Sequence, residues 1–151
     1  MSAQALVLTP IALAVGALAP IQMAANAQLA RGVAGTIAAT IISFSAGWFF
    51  LIAINAVGFR QFPTVSDIAR TPVYLLLLGG AIGAIFVSVN VLVAPRLGSA
   101  ATATLVIAGQ LVGALMVDRL GLFDFSVREI SPGRLAGAAL VLSGAMLVRL
   151  T

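Results

Sequence analysis

Gln22 and Asn26 are two carboxamides four residues apart in a stretch that carries no charged side chain before Arg31. Helical spacing puts both on one face. Each offers two N–H donors and a carbonyl acceptor without a charge to neutralise. Groups of this kind can join helices to one another or hold a solute by hydrogen bonds, and the two uses are compatible. Gln110, flanked by Gly109 and Gly113, repeats the arrangement near the middle of a later apolar stretch; Asn90 is a lesser instance, about a turn from the end of its own. Ser43 shares a narrow face with Thr36, Thr40 and Gly47, at spacings of four, three and four. Trp48 lies too deep for a headgroup belt, so it reads either as a packing or lipid-facing aromatic or as the wall of a pocket. The binding candidates are therefore Gln22, Asn26, Gln110, Ser43 and Trp48. No catalytic residue is expected.

The missing residue types narrow the chemistry further. Cys and His are both absent, which removes disulfides, thiol nucleophiles, the usual zinc sites and imidazole proton relays. No metal site and no cofactor are expected. The four acids and eight arginines sit at the ends of the apolar stretches or between them, and Asp118 is the acid nearest to a membrane interior. A dedicated cation binder is disfavoured, while neutral and anionic small solutes fit. No Ser, Asp, Glu or Arg constellation gathers at one depth, so the chain does not read as an enzyme. The arginines are scattered singly, with no basic run to meet nucleic acid, although the net charge is +4.

The elements that must position these groups follow from where charge is absent. Charge-free runs extend over residues 1–30, 32–59, 71–95, 97–117 and 135–148. A hydrocarbon layer about 30 Å thick needs roughly 20 apolar residues in a helix. With 62% hydrophobic residues, 8% charged residues and a mean hydropathy of +1.18, the chain is an all-α membrane protein with membrane lipid as its first partner. The spacing predicts five transmembrane helices over about 5–28, 32–57, 72–94, 99–117 and 132–150, forming one domain across 1–151. Ala25-Asn26-Ala27 resembles the site that follows a cleaved leader. No basic residue precedes the first apolar run, however, and apolar character resumes after Arg31, so a retained helix is expected.

Within these helices Pro20 should kink the first, just before Gln22. Gly79 and Gly83 on the third, and Gly109 and Gly113 on the fourth, should let backbones approach closely. Thr71-Pro72 reads as the opening of the third helix, Pro95 as its stop, and Ser131-Pro132-Gly133 as the opening of the fifth. Residues 58–71 read as a loop with one interfacial turn, and residues 120–131 as an irregular or partly helical connector along the headgroups. Five helices place the termini on opposite sides. Arg60, Arg70, Arg119, Arg128 and Arg134 then share the amino-terminal side against Arg31, Arg96 and Arg149 on the other. This small excess favours a cytoplasmic amino terminus, yet it is slight enough for dual topology, with insertion in both orientations.

Gly16 with Gln22 to Leu29, Ser43 to Gly47 and Tyr74 to Ala84 occur in a collinear order that resembles the YdcZ family of the drug/metabolite transporter superfamily. Ala94-Pro95-Arg96-Leu97-Gly98, Gly109-Gln110-Leu111, Asp118 to Gly121 and Arg134 to Gly137 extend the resemblance over essentially the whole chain. It implies half of an inverted-repeat transporter fold, completed by a second five-helix unit, in a multi-pass protein of the bacterial inner membrane. The expectation is a secondary transporter or exporter of a small polar organic metabolite. It would work by alternating access in an antiparallel homodimer, or in a heterodimer with a related five-helix chain. Two rival readings are a passive channel, whose flux would not saturate, and a non-transporting membrane subunit that scaffolds a partner.

Overall fold

Hydrocarbon-compatible side chains and satisfied backbone hydrogen bonds leave the helix as the natural form for these runs. The computed structural model describes residues 3–151 and contains no strand among them. Six α-helices occur in order: α1 (Ala3–Gly32), α2 (Thr36–Ile54), α3 (Val65–Arg70), α4 (Val73–Leu97), α5 (Ser99–Leu120) and α6 (Pro132–Leu150). Five of them, all but α3, are long and apolar enough to cross a membrane. At a rise of 1.5 Å per residue, the 19 residues of α6 extend about 28 Å, close to the thickness of the hydrocarbon layer. The expected single domain begins at residue 1; residues 1 and 2 lie outside the described residues.

Several ends differ from the spacing-based expectation for physical reasons. Helix α1 continues to Gly32, with Pro10 and Pro20 inside it and Arg31 in its last turn, where a cation faces the free carbonyls. Helix α4 does not stop at Pro95 but runs to Leu97. A proline in the last turn removes one backbone bond, and the Gly98 N–H closes the helix by donating to the Ala94 carbonyl at 2.9 Å. Gly98 then opens α5: its carbonyl accepts from the Thr102 N–H at 3.1 Å and from the Thr102 hydroxyl at 2.8 Å. One residue serves both ends because its φ of +84° lies where a side chain would strain the backbone. Helix α5 extends to Leu120, so Asp118 and Arg119 are still helical.

The connectors are held by their own polar groups. A π turn, Asn55–Phe59, prolongs the second span, and the Asn55 carboxamide then brackets Gln61, donating to its carbonyl at 3.1 Å and accepting from its N–H at 2.9 Å. Helix α3 begins with a reciprocal cap: Thr64 Oγ1 accepts from the Asp67 N–H, and Asp67 Oδ2 accepts from the Thr64 N–H at 2.8 Å. The hydroxyl of Thr71 is spent on the end of α3, donating to the Asp67 carbonyl at 2.8 Å. At the start of α6, Ser131 accepts from the Arg134 N–H and Pro132 occupies the first turn, as expected.

The described residues divide into two compact units, one running to Pro20 and resuming over Val93–Thr151, the other Ile21–Leu92. The first contains the contact between α5 and α6. Its buried apolar positions include Ala101 and Ala108 on α5 and Ala138 and Ala145 on α6, each pair seven residues apart. Seven residues are two helical turns, so each helix presents a repeated small side chain along one line, the pattern that lets helices pack closely in lipid. Large aliphatics point outward instead, as in Leu140 and Leu150. No large side chain is fully buried among the described residues.

Candidate functional site

In the unit Ile21–Leu92, the second half of α1 turns Met23, Asn26 and Ala27 inward. These positions lie on one helical face. Asn26 retains only 6% of its exposure, and its Nδ2 is buried without a hydrogen-bond partner. A buried donor left unpaired costs about 1–3 kcal/mol. Gln22, one turn earlier, is exposed. The two amides that spacing pairs on one face are thus in different settings.

On the hydroxyl face of α2 the residue engaged with another helix is Thr40. Thr40 is buried at 5% exposure and Ala39 beside it is fully buried, while Thr36, Ser43 and Gly47 are half-buried. The Thr40 hydroxyl donates back to the Thr36 carbonyl at 3.0 Å and accepts from the Ser88 hydroxyl of α4 at 3.1 Å. Above this relay lies a groove of about 410 Å³, walled by Ile37 and Ile41 of α2 and by Ile85 and Val89 of α4. Its hydroxyls are already engaged with each other, so it offers an apolar surface. Ser88 is not among the expected residues; the signal for it is the row Gly80, Ala84, Ser88 at intervals of four.

Trp48 is exposed and meets the Phe49 ring edge-on, with centroids 4.9 Å apart. Gly83 touches the ring of Phe44: a Cβ there would sit 3.4 Å from its Cζ. Around Gly79 a Cβ would find open space. Asn90 is buried, and its Nδ2 donates to the Phe86 carbonyl at 2.9 Å within α4, so this amide is spent locally.

In the other unit, Gln110 is exposed on α5, and Gly109 and Gly113 are exposed too, with no atom within 4 Å of where a Cβ would stand. Pro20 is half-buried at this unit's edge. An ion pair ties α5 to α6 near the end of α5. Arg134 of α6 meets Asp118 of α5 at 3.1 Å, each side chain about one-third exposed, and the Asp118 carbonyl accepts from the Arg128 N–H at 2.9 Å. Asp118 is therefore an end residue paired with an arginine. Among the described residues no group of acids could hold a metal ion.

What this arrangement can do is bind by hydrogen bonds without titration, since no ionisable side chain lies in the middle of a span. A model of the family described as "Putative inner membrane exporter, YdcZ" matches residues 7–147, all but the first six and last four residues of the chain. Comparison with curated proteins and with solved structures finds no match. The family's description is that of an exporter and not of an enzyme. Five membrane-crossing helices and a family match over nearly the whole length agree: the chain is a multi-pass inner-membrane protein and belongs to the YdcZ family.

Proposed function

We propose that the chain is half of a secondary transporter that exports a small polar organic metabolite, neutral or anionic, by alternating access in an antiparallel homodimer. The single observation that carries this reading is the exposure of Gln22 and Gln110 on apolar helices of the isolated chain. A carboxamide facing hydrocarbon without a partner costs several kcal/mol, so both amides call for a polar surface that lipid does not provide. A second copy in the opposite orientation, enclosing a solute path, supplies that surface, and the slight arginine asymmetry allows both orientations. In this reading residues 1–151 act as one five-helix domain. Gln22, Asn26 and Gln110 donate to the solute, Ser43 and Trp48 shape its surroundings, and the glycines of α4 and α5 permit rocking.

The test is uptake into proteoliposomes of a panel of labelled neutral and anionic metabolites. Saturable uptake is expected, with Gln22→Ala and Gln110→Ala each abolishing it while cross-linked dimers persist. Uptake that rises linearly with concentration would make the protein a channel. Uptake unchanged in both variants would remove these amides from the site.

A further inference from the structure

We infer that Asn26 is the specificity-determining donor for an uncharged, carbonyl-bearing solute of the acylated-amine or amide class. The inference rests on the transport reading above only for how a solute gains access. Of the three amides in question, Gln22 and Gln110 are exposed, and a neighbouring protein surface can cover them. Asn26 differs, because its Nδ2 is already shut off by atoms of its own chain and still has no partner. A second copy docked on the outside cannot reach it. A visitor admitted when α1 moves can, so the unpaired donor fits a transient ligand better than a permanent contact.

The chemistry of that visitor follows from what surrounds the amide. An unpaired N–H calls for an acceptor. The first formal charge on α1 is Arg31, five residues further along the helix, about 7.5 Å in rise and well around the helix from Asn26. A carboxylate brought to Asn26 would lose its hydration with no cation of α1 on the same face, whereas a neutral carbonyl would lose far less. No acid lies in α1 to hold an ammonium group either. Met23 and Ala27, buried on the same face, make the surroundings of Asn26 apolar.

Three probes of similar size separate these alternatives: N-acetylglycinamide (neutral), N-acetylglycinate (anion) and glycinamide (cation). Binding is read as the ligand-induced shift in melting temperature of the full-length protein in lipid nanodiscs. N-acetylglycinamide should bind wild type, and Asn26→Leu should weaken it about tenfold or more, with Asn26→Ser, which keeps one donor, between the two. Without ligand, Asn26→Leu should melt higher than wild type, because an unpaired buried amide is gone. A lower melting temperature in both variants would overturn the inference by revealing a structural partner. So would stronger binding of the anion or cation, binding of none of the three, or binding unaffected by Asn26→Leu. Uptake of labelled N-acetylglycinamide into proteoliposomes tests the transport reading separately. Binding without uptake supports the Asn26 site and sinks transport. Uptake that Asn26→Leu leaves intact sinks the Asn26 site and keeps transport.

Discussion

Replacing Gly113 by Leu separates contacts within the chain from contacts between copies. Gly113 and Gly109 are exposed on α5, and a Cβ added at either meets no atom within 4 Å. Inside one chain the larger residue therefore clashes with nothing, and exchanging a helical glycine for leucine gains about 0.5–1 kcal/mol of helix propensity. If this small-residue face lies against a second copy, the added side chain forces the helices apart. Overpacking costs about 1–3 kcal/mol at one site, and a homodimer carries the change twice, so dissociation should rise roughly 30-fold or more. The chain has no cysteine, so Thr151→Cys gives a single labelling site. Energy transfer between labelled copies, followed while they are diluted into excess lipid, reads dissociation directly. Gly113→Leu should dissociate at lower dilution than the parent while retaining its helical circular dichroism. Superimposable dilution curves would remove α5 from the interface and, with it, the argument that its glycines serve a partner.

Three further outcomes test separate parts of the structure. Asp118→Asn and Arg134→Gln should each lower the unfolding free energy slightly, by no more than about 1 kcal/mol for a pair one-third exposed, and the exchanged pair Asp118→Arg with Arg134→Asp should recover most of the loss; no recovery would mean that the ion pair is incidental. A double-mutant cycle on Thr40→Val and Ser88→Ala should return a coupling of roughly 0.6 kcal/mol, the average for hydroxyl and amide contacts between membrane helices, and strict additivity would deny the relay between α2 and α4. The Thr64 hydroxyl, then the Thr64 N–H, hold the Asp67 carboxyl below its ordinary 3.8. A lowered value means that the cap is complete above pH 3.8 and is lost only as the pH falls through the lower folded value. The carboxyl carbon resonance of Asp67 should titrate below 3.8, and a midpoint above that would contradict the reciprocal cap.

Charge spacing alone locates all five spans, because the eight arginines and four acids are confined to the ends of the apolar runs and the gaps between them. The ends are less legible. Proline at position 95 reads as a stop, yet a proline in the final turn forfeits only its own backbone bond, and the helix still closes through the Gly98 N–H on the Ala94 carbonyl. Glycines draw attention as packing residues, but the face buried between α5 and α6 is drawn in alanine, at 101, 108, 138 and 145. Alanine is so common in this chain that its period of seven does not stand out without knowing which helices meet. Ser88 escapes for a similar reason, since a lone hydroxyl gains meaning only when Thr40 lies opposite it.

The amides show where periodicity reaches its limit. Spacing places Gln22 and Asn26 on one face, and so it does not distinguish a group that leaves the chain from one that turns into it. The structure makes that distinction, and the two consequences are physically different. An exposed amide such as Gln22 or Gln110 can be satisfied by a polar protein surface laid against it, such as a second copy, and its removal weakens whatever that surface was. A buried, unpaired amide such as Asn26 lowers the stability of the chain that contains it. Asn90, equally buried, avoids that cost by bonding to Phe86 one turn away, which shows that an asparagine in these helices has a local remedy available. Asn26 does not take it. A helix of free geometry would lose nothing by substituting leucine there, and in the reading proposed above the unpaired donor serves a partner that comes and goes.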